Sequence, residues 1–209
     1  RFLFLSLSMV LLALRGRFFL ASVCAAFASA TRIAGVFLFV PLAVEFIQAN
    51  GWRSLLTRRA WPLTLAPAGA LAFFAYHWIA FDAFFLYLRA QGLYGRDFSL
   101  KAADYAIRSN PDLVNTAYDL VFILAAVLLR IIALRRFRPS YGLYMLVSLA
   151  IALGSGTVLG VARYSMVLFP IYFIEAGIRS TLGRSAWLFG SSLLLALNII
   201  CFVNHYWAG

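Results

Sequence analysis

Long apolar runs, each cut off by a short group of arginines, decide most of what this chain can become. Phe2 to Leu14 is apolar and stops at Arg15-Gly16-Arg17. Phe18 to Ile47 is apolar, broken by Thr31-Arg32 and with Glu45 near its end, and stops before Arg53, Arg58 and Arg59. Trp61 to Phe81, Ala117 to Leu134, Tyr141 to Leu153, Val161 to Ala176 and Ala186 to Tyr206 follow, with Arg135, Arg136, Arg138, Arg179 and Arg184 between them. Runs near 18 residues with almost no charge read as membrane helices. The composition agrees. Of 209 residues 64% are hydrophobic, and the mean hydropathy is +0.91, more apolar surface than a soluble domain of this length needs. A formal net charge of +11 would point to nucleic acid in a soluble protein. Here the charge sits in short loops between apolar runs, which is the positive-inside pattern, and nucleic acid is not an expected partner.

The run from Phe18 to Ile47 is too long for one ordinary crossing and has basic groups at both ends, so both ends belong on the same side. A hairpin of two short helices, Phe18 to Ala30 and Ile33 to Ile47, satisfies this, with residues 31–35 at its far tip. At 1.5 Å per residue each arm reaches roughly 20 Å, short of the ~30 Å hydrocarbon core. The tip then lies somewhat below the far surface, or the bilayer thins there. Carried through the chain, the charge rule gives an all-α, polytopic transmembrane bundle of about eight membrane helices. Arg15, Arg17, Arg53, Arg58, Arg59, Arg130, Arg135, Arg136, Arg138, Arg179 and Arg184 lie inside; Arg32, Arg89, Arg96, Lys101, Arg108, Arg163 and the C-terminus lie outside. Residues 1–209 form a single transmembrane domain. The chain opens on Arg1 in mid-run, which reads as the C-terminal part of a longer protein.

One long stretch is neither a span nor a short basic loop. Residues 81–116 carry Asp82, Asp97, Asp104 and Asp112, with Arg89, Gln91, Arg96, Lys101 and Arg108 and three tyrosines among them. Phe81 to Ala90 has the spacing of a helix lying flat on a membrane surface. Such an outer-face platform of loop and interfacial helices, 82–116, suits a ligand with a sugar or phosphate head and a lipid tail. A solvated loop with one interfacial helix is the plainer reading. Asn110-Pro111-Asp112 is a turn signal, and Asn115 or Thr116 can cap the helix that follows.

Arg32 and Arg163 do not behave as loop charges, because apolar residues flank both. A charge at membrane depth costs about 2.5–3.5 kcal/mol on insertion scales and needs a partner or a role. Arginine's planar fork matches phosphate bidentately, so arginines converging at the outer edge of a bundle suit a lipid phosphate. The alternative is that both snorkel to headgroups or pair with Asp82 or Asp119. His77 reads as an interhelical hydrogen bonder, and His205 as interfacial. Cys24 and Cys201 read as buried thiols without disulfide or metal spacing. No metal cluster or Gly-rich phosphate loop is present, and no cofactor is implied. Gly154-Ser155-Gly156-Thr157 reads as a membrane-edge turn that permits close backbone approach.

Three of these segments carry a resemblance. A-S-A-T-R-I-A-G-V-F-L (Ala28 to Leu38), F-L-Y-L-R-A-Q-G-L-Y-G-R (Phe85 to Arg96) and A-R-Y-S-M-V-L-F-P-I-Y-F (Ala162 to Phe173) resemble, in order and spacing, the PIG-V-like mannosyltransferases, polytopic glycosyltransferases of the GT-C class. The resemblance implies transfer of mannose or a related sugar from a polyprenyl- or dolichyl-phosphate donor to a lipid-linked glycan acceptor, on the outer or lumenal face. Arg32, Arg89, Arg96 and Arg163, with Gln91 and Tyr164 from the same motifs, would line the donor and acceptor cavity. The family's catalytic aspartate lies in a first outer loop that has no counterpart here, so the resemblance names no catalytic base and implies that this stretch alone is inactive. A transporter or flippase of a lipid-linked or anionic substrate is the competing reading, and a non-catalytic membrane scaffold the third. An internal repeat, which would favour transport, is not evident. The excess of arginine over its single lysine suits a GC-rich bacterial genome, and with it the plasma membrane rather than the ER membrane.

Overall fold

The computed structural model describes residues 1–92, 121, 124, 127–128, 131–132, 135, 137–154 and 168–204. Every regular element among them is helical. In chain order they are α1 (Phe2–Leu14), α2 (Phe18–Thr31), a 3₁₀ helix (Ile33–Leu38) running into α3 (Phe39–Asn50), two further 3₁₀ helices (Trp52–Leu56 and Arg58–Leu65), α4 (Ala68–Phe81), α5 (Leu86–Gly92), α6 (Pro139–Gly154), α7 (Phe169–Ala176) and α8 (Thr181–Val203).

The hairpin expected after Arg17 is present, with two changes. The return arm is not too short to cross, since it runs on to Asn50 and is long and apolar enough for a bilayer. It also starts as 3₁₀ and becomes α-helical only at Phe39. The cause is Gly35. An added Cβ there would lie 2.5 Å from the Ser29 nitrogen and 2.6 Å from the Ala28 carbonyl carbon, so the chain turns back against the backbone of α2. Gly51, at φ 81°, ends the arm in the left-handed region that glycine reaches without strain.

Two stretches, Ile33–Asn50 and Thr181–Ile200, are long and apolar enough to cross a bilayer. The pair Arg58–Leu65 and Ala68–Phe81 makes a third span if its 52° bend is taken as a break within one crossing. α8 has 23 residues, about 34 Å at 1.5 Å per residue, enough for the hydrocarbon core. It buries none of its apolar window on the rest of the protein. Leu182, Phe189 and Phe202 are more than 70% exposed. Surface of that kind is at home in lipid and costly in water.

The core lies where α1, α2, α3 and the start of α6 and α7 meet, around Met9, Ala25, Leu38, Leu42, Tyr144 and Phe169. On α2 the buried face is small, Ala21, Ser22, Ala25, Ala28 and Ser29, so neighbouring backbones approach closely. Cys24 corrects the buried-thiol expectation in part: it is half-buried, at the side of this core rather than in it. The Cys201 side chain lies outside the described residues.

The first lock between distant segments is polar. Glu45 on α3 is 5% exposed. Its Oε1 accepts a 2.6 Å hydrogen bond from Ser140 Oγ and lies 3.2 Å from Arg138 Nε, while Arg138 also reaches Gln48 Oε1 at 3.4 Å. Ser140 stands in the first turn of α6, which Pro139 opens, so the carboxylate also meets the positive end of that helix. Because Arg138 is half exposed, its share is small, and the buried Ser140 bond is the stronger one. Glu45→Ala is expected to cost about 2 kcal/mol, since it strands a buried hydroxyl and opens a cavity. Glu45→Gln keeps an acceptor and is expected to cost less than half of that. Thermal unfolding in detergent micelles measures both, and equal losses would deny the Ser140 bond its role.

Aromatic rings make the second lock. Tyr144 of α6 stacks on Phe169 of α7 at 5.2 Å, and Tyr141 meets Phe169 and Phe173 edge-on or tilted. The Tyr144 hydroxyl is buried and has no hydrogen-bond partner among the described residues. Tyr144→Phe is therefore expected to leave stability unchanged or raise it by about 1 kcal/mol. A fall in the melting temperature would show that the hydroxyl is bonded.

Candidate functional site

Arg32 sits where α2 ends. The helix stops because Arg32 is extended (φ −153°, ψ 137°), and the chain restarts at once as 3₁₀, with Gly35 N–H donating to the Arg32 carbonyl at 2.8 Å. Its side chain is half-buried, and among the described residues it forms no ion pair. Thr31, just before it, lines an open cavity of about 340 Å³ together with Arg1, Phe4, Leu5, Phe27 and Ala30. That wall is almost wholly apolar.

The second part of the candidate site is the corner between α4 and α5. α4 ends at Phe81 because Asp82 takes the left-handed conformation (φ 51°, ψ 30°), its N–H closing the last turn onto Trp78 O at 2.9 Å. Aspartate tolerates this region better than most residues with a Cβ. The surface helix expected from Phe81 to Ala90 thus begins only at Leu86, and Asp82 to Phe85 form the turn. Rings hold the corner together: Phe74 stacks on Phe84 at 5.4 Å, Phe73 meets Tyr87 edge-on at 5.7 Å, and Trp78 meets Phe84 at 6.4 Å. Tyr76, Trp78, Phe81 and Phe85 remain more than half exposed. Aromatic residues with polar tips gathered in this way match a membrane–water interface.

Arg89 lies on α5, exposed, and Gln91 two residues further along, half-buried. α5 packs on α4, and α4 packs on α2 through its first turns. The broken span therefore stands between Arg32 and Arg89, and no described cavity is lined by both. Arg96, Arg163 and Tyr164, like Asp97, Asp104, Asp112, Asp119, His205 and the Gly-Ser-Gly-Thr turn from Ser155 on, lie outside the described residues. Arg32 is not paired with Asp82, which caps α4 instead. His77 corrects an expectation. Its Nδ1–H donates to Phe73 O of its own helix at 2.9 Å, and Phe73, Tyr76 and Phe81 surround its ring, so it does not join two helices. Among the described residues no three His, Cys, Asp or Glu side chains come together as metal ligands.

Two residues that shape this region were not singled out from the sequence. Glu45 carried a signal, being the only carboxylate before Asp82. Ser29 carried none beyond its place within an apolar run, yet it bonds to both sides of the break in the third span. No protein family, curated protein or solved structure matches this chain.

Proposed function

We propose that this chain is the membrane-embedded part of a glycosyltransferase of the GT-C kind, with about eight membrane helices. It moves a sugar, in the first instance mannose, from a polyprenyl-phosphate donor to a lipid-linked acceptor at the outer face of a plasma membrane. The carrying observation is Arg32. A guanidinium stands at a helix break inside an apolar hairpin, half-buried and without a carboxylate among the described residues, beside an apolar cavity. A lipid phosphate supplies both things this site lacks, an anion for the fork and a tail for the apolar wall. In the reaction the acceptor hydroxyl attacks the anomeric carbon while the bond from that carbon to the phosphate oxygen breaks. The hydroxyl proton passes to a carboxylate base, and the arginines take up the charge that develops on the leaving polyprenyl phosphate.

The reading is tested by incubating membranes carrying the full-length protein with radiolabelled polyprenyl-phosphate-mannose. Label is expected to pass into lipid-linked product only when the protein is present. No transfer from any polyprenyl-phosphate sugar would overturn the proposal. One observation favours transport instead: the third span is discontinuous, as binding spans of transporters often are. In that case reconstituted vesicles would move a lipid-linked sugar across the bilayer without making a new glycosidic bond.

A further inference from the structure

The break in the third span is filled by another helix's hydroxyl. In an unbroken helix the Ala70 N–H would bond to the Ala66 carbonyl. Here the Ala70 nitrogen is 3.3 Å from Ser29 Oγ, and the same oxygen is 3.0 Å from Ala66 O, so the Ser29 hydroxyl of α2 occupies the place of the direct bond. A side chain inserted into the ladder is a recognised cause of a kink. Pro67 weakens this point by removing one backbone donor, which explains why the bend falls here. It leaves open how far the helix bends.

Ser29 has a second acceptor. Its Oγ lies 2.8 Å from Ala26 O, in its own helix. A hydroxyl has one proton, so the two carbonyls compete for it. With the proton on Ala66 O, the hydroxyl bridges the gap and the 52° bend is pinned. With the proton on Ala26 O, the buried Ala66 carbonyl needs another donor, and the Ala70 N–H, its partner in an unbroken helix, supplies one by a direct bond that straightens the helix. Both arrangements satisfy the backbone, so neither is strongly disfavoured. Gly69 and Gly35 press on the same turn of α2, which makes that turn the axle. Beyond it α4 and α5 move as one body, joined by the Phe73–Tyr87 and Phe74–Phe84 contacts.

We propose that Ser29 is a positioning residue: its hydroxyl sets the bend of the third span, and so places the arm that carries Arg89 and Gln91 relative to Arg32, which stands three residues on from Ser29, just past the end of α2. The proposal goes beyond the transfer reaction and does not depend on it. The test uses spin labels at Arg58 and Ile79, both exposed and at the far ends of the two arms, in full-length protein with Cys24 and Cys201 changed to Ser, in liposomes. With arms of roughly 16–20 Å, straightening lengthens the label-to-label distance by about 3–4 Å. Wild type is expected to show two distances, Ser29→Ala only the longer one, and Ser29→Thr the wild-type pair. A Ser29→Ala distribution identical to wild type, or a Ser29→Thr one identical to Ser29→Ala, would overturn the proposal and leave the bend to Pro67. Should Ser29→Ala not fold, relaxation dispersion at the Ala70 amide of wild type decides. Exchange between two states is expected, and a flat profile overturns it.

Discussion

Replacing Arg32 with alanine is expected to lower sugar transfer by 10²–10³-fold, the loss typical of removing one preorganised group that stabilises developing charge. The leaving phosphate gains charge as the anomeric bond breaks, so a guanidinium placed on it favours the transition state over the bound donor. The loss should therefore appear in kcat as well as in kcat/KM. Arg32→Lys should recover only part, because a point charge cannot replace a bidentate fork. Arg89→Ala is expected to lose less, since Arg89 is exposed and solvent screens its charge. Transfer measured on folded, membrane-inserted protein separates these cases. Full activity in Arg32→Ala would remove the residue from the donor site.

The largest structural effect is expected at Gly69. A Cβ built there would overlap the Ala26 carbonyl oxygen and lie 2.6 Å from the Ala30 nitrogen and 2.7 Å from Ser29 Oγ. The first two are backbone atoms of α2 and cannot swing aside. Gly69→Val should thus push α4 off α2, break the Ser29 bridge and cost about 3 kcal/mol or more, at the upper end of overpacking losses. Gly190 is the built-in control. It lies on α8 with nothing within 4 Å of an added Cβ, so Gly190→Val should leave the folded protein intact. Fluorescence-detected size exclusion after heating should show the monodisperse peak lost for the first variant and kept for the second. Equal behaviour of the two would mean that α2 and α4 do not touch at Gly69.

What could be read from the sequence was what depends on local pattern. The apolar runs mark α1 and α2 closely, because a helix in a packed bundle needs little besides length and the absence of charge, whereas α8 starts five residues ahead of its run and takes in Arg184. What could not be read depends on partners far along the chain. Ser29 meets Ala66 and Ala70 from 37 and 41 residues away, and Glu45 meets Ser140 from 95 away. No local periodicity encodes which carbonyl a serine will reach. Phe81 to Ala90 failed differently. The spacing fitted one helix, but Asp82 adopts a left-handed turn that ends α4 and lets α5 fold back against its rings. Arg32 was visible as a charge inside an apolar run. Its extended backbone was not, since that follows from the close packing of Gly35 on α2.

The proposed function requires Arg32 and Arg89 to serve one site on the face opposite the basic loops. Single cysteines at 32, 89 and 53, in a background with Cys24 and Cys201 changed to serine, test it with a membrane-impermeant thiol reagent on sealed vesicles of known orientation. Cysteines at 32 and 89 should react from the outside and be protected by polyprenyl-phosphate-mannose, and the cysteine at 53 should react only in inverted vesicles. Labelling of 32 and 89 from opposite sides, or labelling of both that the donor leaves unchanged, would contradict it.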